Sequence, residues 1–261
     1  MTAEAAAASA AREQLAHEDT VAGNAIDGYA SWVCAGHSKA PPLRILETTS
    51  HTGTRIWEAA WLHRKWALEQ PQLFNGARVL ECGAGCGLLG LSIAAAHPTA
   101  SVTLSDFAGH FESGAPASSV LHNLAANADC NAALLGGRVR VVNLDWSRPE
   151  AAELFWPPSG DASPAICEPV DVLVATECIY SEAGAALLAA VLARYLRPGG
   201  VASLLNNAKR TGVSRFGDVC TAAGLVVAVL PVPPRPADVM PTFTSWSNDE
   251  YVMWEVRWAE R

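Results

Sequence analysis

The residues from Arg78 to Gly90 read Arg-Val-Leu-Glu-Cys-Gly-Ala-Gly-Cys-Gly-Leu-Leu-Gly: a short apolar run ending in a carboxylate, a glycine turn, then a second apolar run. Few folds accept that order. Glycines at Gly83, Gly85 and Gly87, with Ala84 between them, let a chain pass tightly from strand to helix and let a ligand approach bare backbone. Glu81 is the informative departure. A phosphate-binding turn aims N–H groups and a helix N-terminus at negative charge, and a carboxylate in that mouth opposes it. The segment therefore predicts a nucleotide crevice whose ligand is cationic or neutral.

The same stretch has a competing reading. Gly85 to Gly90 also satisfies G-x-G-x-x-G, and Asp106 follows about 20 residues later, as a ribose ligand does in dinucleotide folds. Spacing leaves both ligands open, a nicotinamide dinucleotide and S-adenosylmethionine. Glu81 favours the second, which carries a sulfonium and an ammonium and no phosphate.

Around this nucleus, strands and helices alternate. Strands are predicted at 77–82, 101–105, 138–144, 170–175, 201–206 and 225–230, with helices at 58–70, 88–96, about 118–128 and 182–196. In the last segment Val252, Trp254, Val256 and Trp258 alternate with Met253, Glu255 and Arg257, a period-two strand that implies an antiparallel hairpin at one end of the sheet. The expected fold class is α/β, a doubly wound seven-strand Rossmann-like sheet with an antiparallel C-terminal strand. Residues 1–42 show no sustained periodicity and are assigned to a partly ordered helical extension, and 43–261 to the ligand-binding domain. The stretch 147–169, with five prolines, is expected to be a loop insertion.

The chain of 261 residues is half hydrophobic, enough for one buried sheet, and carries a formal net charge of -8. Its lysines and arginines are scattered, so nucleic acid is not an expected partner. No apolar run reaches the roughly 18 residues a membrane span needs. The alanine-rich N-terminus contains Glu4, Glu13, Glu18 and Asp19, unlike a basic leader. A soluble, cytoplasmic protein is expected, and a monomer. Seven cysteines form no C-x-x-C pair and seven histidines stand singly, which predicts neither disulfide framework nor metal site.

In open α/β sheets, ligands sit outside the carboxyl ends of the strands. Just past those ends stand Asp106, whose carboxylate can accept both hydroxyls of a ribose, and Asp145-Trp146, an acceptor for an adenine amine beside a ring. After the fourth strand come Thr176, Glu177 and Tyr180. A carboxylate and an aromatic face can hold a cation, although a helix-capping glutamate and a core tyrosine fit the same spacing.

Several of these motifs occur in the order in which they occur in a known group. "TGTRIW" at 52–57, "VLECGAGCGLLGL" at 79–91, "NLDW" at 143–146 and "TECIY" at 176–180 together resemble the family 16 group of seven-strand S-adenosylmethionine-dependent methyltransferases, which modify lysine in non-histone proteins. The resemblance implies that Trp57 borders the cofactor, that Glu81, Gly83, Ala84, Gly85 and Gly87 form its glycine motif, and that Asp145 and Trp146 lie on its adenine side. It also implies that Glu177 and Tyr180 lie beside the target lysine, with glutamate standing where the family's D-x-x-Y signature has aspartate. Within the group the chain looks most like the enzymes that methylate elongation factor 2, so the expected partner is a protein substrate. The alternatives are a nicotinamide-dependent oxidoreductase, a small-molecule methyltransferase and a non-catalytic binding protein on the same fold.

Overall fold

The computed structural model describes residues 30–37, 40–48, 52–108, 119–157, 166, 169–234 and 250–260. In chain order these form β1 (Ala30–His37), β2 (Ala40–Thr48), α1 (Glu58–Leu68), α2 (Pro71–Phe74), β3 (Arg78–Cys82), α3 (Leu88–Ala96), β4 (Ser101–Asp106), α4 (Ser119–Cys130) and α5 (Ala132–Leu135). There follow β5 (Val139–Asn143), β6 (Glu153–Trp156), β7 (Val170–Thr176), α6 (Glu182–Tyr195), β8 (Leu196–Asn207), α7 (Phe216–Ala222), β9 (Leu225–Leu230) and β10 (Tyr251–Trp258).

Eight strands make one sheet in the order β6-β5-β4-β3-β7-β8-β10-β9. The pairs from β5 to β8 are parallel, whereas β10 runs antiparallel to both β8 and β9. From β3 the chain winds outward through β4 and β5, then returns to lay β7 and β8 on the other side. The crevice beyond the carboxyl ends of β3, β4 and β7 is thus the topological switch point, where ligands bind in such sheets.

Side-chain alternation explains the unbroken apolar runs. Val79, Val172 and Val174 enter one hydrophobic layer with Leu91 and Leu124, while Leu80, Leu173 and Ala175 enter a second with Leu188, Leu192 and Phe216. A strand buried on both faces has no solvent side on which to place polar residues. Each such Val or Leu contributes about 1.5–3 kcal/mol of burial. Helix α3 is buried on nearly every side, which is why Leu88 to Ala96 lacks an amphipathic stripe.

Two sequence expectations change. The helical reading of residues 1–42 does not hold from Ala30 onward: β1 and β2 are an antiparallel hairpin, and residues 1–29 lie outside the described ones. Leu43, Ile45 and Glu47 are buried while Arg44, Leu46 and Thr48 are less so, a two-residue period that Pro41-Pro42 obscured. The stretch read as a loop after Ser147 contains β6, which pairs antiparallel with β5 and adds an eighth, edge strand to the seven expected. A four-residue strand carries too few alternations to stand out between prolines.

Asn123 and Asn127, one helical turn apart in α4, both donate to the Leu46 carbonyl of β2. The Asn127 side chain accepts from Leu46 N–H at 2.7 Å and donates to Leu46 C=O at 3.1 Å, and Asn131 makes the same pair with Arg44 at 3.0 and 2.8 Å. Two amides four residues apart, Asn127 in the last turn of α4 and Asn131 just past its end, therefore act as a surrogate strand for β2. Among the described residues no helix is long and apolar enough to cross a membrane.

Candidate active site

A cavity of about 460 Å³ opens at the switch point. Trp57, Glu81, Gly83, Ala84, Gly85, Asp106, Asp145, Trp146, Thr176, Glu177 and Tyr180 all line it. Gly87 does not; it begins α3 with φ +81°, packed against Leu124.

The turn after β3 is shaped by steric need. Gly83 has φ +65°, and a Cβ there would lie 2.5 Å from Cys178 Sγ. The lead-in segment covers the turn from above: a Cβ at Gly85 would meet Gly53 C=O at 3.1 Å, and Trp57 Nε1–H donates to Thr52 C=O at 3.1 Å, closing that loop. Underneath, Asn127 donates to Cys86 C=O at 2.9 Å while also holding Leu46, so the hairpin and the turn share one anchor. Glu47 adds a second tie, accepting from Ile56 N–H at 3.1 Å.

Glu81 performs a task different from the one its position suggested. Its Oε2 accepts from Gly90 N–H at 2.9 Å, and a Cβ at Gly90 would lie 2.4 Å from that oxygen. The last glycine of the apparent G-x-G-x-x-G is thus the space in which this carboxyl sits. Only 3% exposed, Glu81 is pushed up to about 8 by burial, partly offset by the Gly90 N–H. At neutral pH it is mostly uncharged, so it does not guard the mouth as a fixed anion.

Asp106 is the carboxyl that meets the turn. Its Oδ2 accepts from Gly85 N–H at 2.8 Å and its Oδ1 from Phe107 N–H at 2.8 Å. The turn amide that a diphosphate would need is already occupied by a carboxylate. Burial pushes Asp106 upward and the two N–H donors draw it back. Asp145 is more committed than expected: Oδ1 accepts from Ser147 N–H at 2.8 Å and from its hydroxyl at 2.6 Å, which with Arg148 holds the carboxyl below its ordinary value. Trp146 packs on the second hydrophobic layer with one side towards the cavity.

Across the cavity, the chain leaves β7 in an unusual conformation. Glu177 has φ +53°, the one positive φ outside glycine among the described residues, a state that costs about 1–3 kcal/mol. Three contacts hold it there: Glu177 N–H donates to Leu205 C=O at 2.8 Å, Asn207 N–H donates to Glu177 Oε1 at 2.6 Å, and Cys178 N–H donates to Asn206 Oδ1 at 3.2 Å. Burial raises the Glu177 carboxyl, against the pull of Asn207 N–H and Arg210. Neither bland alternative fits. Ser181 caps α6, accepting from Gly184 N–H at 3.0 Å, and Tyr180 is 51% exposed rather than in the core.

Sequence reasoning passed over several residues that line this site or brace those that do. His63 bridges Thr176 Oγ1 at 2.7 Å and Ser203 Oγ at 2.9 Å; wholly buried, it is lowered to about 3 and stays neutral. Asn206, fully buried, clamps the Glu177 turn and was visible only as a polar end to an apolar strand. Phe107, exposed beside Asp106, and Leu187 add apolar surface to the cavity wall. Among the described residues no cluster of three or more His, Cys, Asp or Glu side chains is placed to hold a metal ion.

Residues 37–221 match the model of a family described as lysine methyltransferase. The chain belongs to that family. Among curated proteins, this lysine methyltransferase family member is 32% identical to human "Protein-lysine N-methyltransferase EEF2KMT" over 51% of its own length and 39% of the relative's. It is 30% identical to Arabidopsis thaliana "Calmodulin-lysine N-methyltransferase" over 48% and 34% of the two chains. The chain therefore spans well under two thirds of these relatives. Among solved structures it matches the T. thermophilus 16S rRNA N2 G1207 methyltransferase RsmC with a TM-score of 0.54 at 17% identity, covering 88% of this chain and 51% of that one. It also matches the glycopeptide N-methyltransferase MtfA with a TM-score of 0.52 at 15% identity, covering 77% and 95%. At these identities the structural likeness speaks for the fold alone, the Rossmann-like methyltransferase sheet.

Proposed function

We propose that the protein is an S-adenosylmethionine-dependent protein-lysine N-methyltransferase acting on a non-histone protein, with elongation factor 2 as the favoured target. The observation that carries this reading is Asp106 seated on the Gly85 N–H. It removes the donor a diphosphate requires and leaves each carboxylate oxygen a further acceptor site for a ribose hydroxyl. A nucleoside bearing a positive sulfur suits such a cavity, with Gly83 to Gly85 and Trp57 as its close neighbours. Family membership and the human and Arabidopsis relatives support lysine as the acceptor. The choice of elongation factor 2 rests on the likeness of the run "TGTRIWEAAWLHRKWALEQPQLFNGARVLECGAG" at 52–85 together with "LDW" at 144–146.

When bound, S-adenosylmethionine supplies an electrophilic methyl group on a positively charged sulfur. The chain's own residues have two tasks, to align a lysine amine and to manage its proton. Freeing that proton at neutral pH costs about 4–5 kcal/mol for an ordinary lysine. Glu177 Oε1 is pinned by Asn207 N–H, which leaves Oε2 to receive the ammonium. Because burial raises this carboxyl, it is a stronger base than a solvated glutamate and can take the ammonium's proton, freeing the nitrogen lone pair before the amine attacks the methyl carbon. Tyr180, exposed at the rim, offers its ring face to the cation.

The test supplies methyl-labelled S-adenosylmethionine and the protein to a lysate freed of its own methyltransferase, with mass spectrometry of methyl-lysines. Label on elongation factor 2 is the expected outcome. Glu177→Ala should keep donor affinity near wild type and lose about a hundredfold or more in turnover. Saturable dinucleotide binding without donor binding, measured by titration calorimetry, would overturn the reading.

A further inference from the structure

The cation-holding pair already has a cation. Arg210 Nε lies 3.5 Å from Glu177 Oε2, and its guanidinium sits 5.1 Å from the centroid of the Tyr180 ring. These are the same oxygen and the same ring assigned above to the substrate's ammonium. The turn that carries Arg210 is firmly seated: a Cβ at Gly212 would fall 2.2 Å from Ser181 C=O, and the neighbouring Lys209 pairs with Glu250. The arginine side chain itself is 41% exposed, and 3.5 Å exceeds the 2.7–2.9 Å of a strong charge-assisted hydrogen bond. Its backbone is fixed, while its head is held loosely.

We propose that Arg210 is a placeholder for the acceptor, a built-in cation that the substrate lysine must displace from Glu177 and Tyr180. This rests on the reading of that pair as the lysine-head site. The physical reason is the burial of Glu177, only 6% exposed: a carboxylate so enclosed is penalised when left without a counter-charge. Exchange of guanidinium for ammonium keeps the charge balanced throughout, and Asn207 N–H holds Oε1 in both states. The device also selects, since an acylated or otherwise neutral side chain cannot evict Arg210. Substrate affinity is therefore set by a difference between two cations, with Arg210 as a specificity-determining residue.

The experiment titrates n-butylammonium chloride, the lysine head in isolation, into the protein saturated with S-adenosylhomocysteine. Arg210→Ala should bind it about tenfold more tightly than wild type, with donor affinity unchanged as the check on folding. Arg210→Lys should behave as wild type, and Glu177→Gln in the Arg210→Ala background should abolish binding. With the protein substrate, Arg210→Ala should lower KM and leave kcat unchanged. Equal or weaker n-butylammonium binding by Arg210→Ala overturns the placeholder, as does binding that survives Glu177→Gln. If no form binds the amine while labelled methyl still reaches lysine, the placeholder fails and the lysine reading stands; if wild type labels no lysine either, both fail.

Discussion

Replacing Glu81 by glutamine separates burial from crevice electrostatics as the force governing this carboxyl. Glu81 is 3% exposed, accepts from Gly90 N–H at 2.9 Å, and is pushed by burial from 4.5 up to about 8. Between those two values the unfolded chain has released its proton and the folded chain has kept it. The folded form thus binds more protons, and unfolding free energy falls by about 1.4 kcal/mol for each pH unit climbed. The stabilisation linked to this proton is fully present below the unfolded value and gone above the folded one. Glutamine keeps an acceptor for Gly90 N–H and nearly the same volume but has nothing to titrate. The stability gap between variant and wild type should therefore move in the variant's favour by about 2–3 kcal/mol from about pH 5 to about pH 7. Urea titrations followed by tryptophan fluorescence, run at each pH on both proteins, read this directly. A gap that stays constant with pH would refute the argument and return Glu81 to the class of ordinary ionised carboxylates.

Two further substitutions probe the supports of the site. Asp106→Ala should weaken S-adenosylmethionine binding by about 1–3 kcal/mol, the value of lost charge-assisted hydrogen bonds, and an unchanged calorimetric affinity would remove Asp106 from the site. Asn127→Ala strips the hydrogen bonds from Leu46 and Cys86, so it should lower stability by about 1–3 kcal/mol and speed amide exchange at Leu46. Wild-type exchange at Leu46 would show that the hairpin is held by other means.

The elements legible in the sequence were those whose signal is local. Val79 to Cys82 and Leu173 to Ala175 betrayed strands buried on both faces, and the glycines that follow β3 marked the turn because the chain has no other way to make it. The residues placed just past the strand ends, Asp106 and Glu177 among them, do converge on one cavity, since a parallel sheet aligns those ends by construction. The β1–β2 hairpin was not legible. Its outer hydrogen bonds come from Asn127 and Asn131, more than 80 residues away in sequence, and side-chain amides standing in for a strand leave no periodic trace.

By itself the sequence determined the alternation of strand and helix, the place of the crevice and the kind of side chains that reach it, because backbone sterics and hydrophobic period act within a few residues. Tertiary structure decided what those side chains do. Depth turned Glu81 from an anion at the mouth into a mostly protonated partner of Gly90 N–H, and left Asp106 as the carboxyl seated on the Gly85 N–H. Pairing of β7 with β8 brought Asn207 and Arg210 against Glu177 across some thirty residues of chain. Ionisation and ion pairing depend on burial and on neighbours in space, and those exist only once the chain has folded.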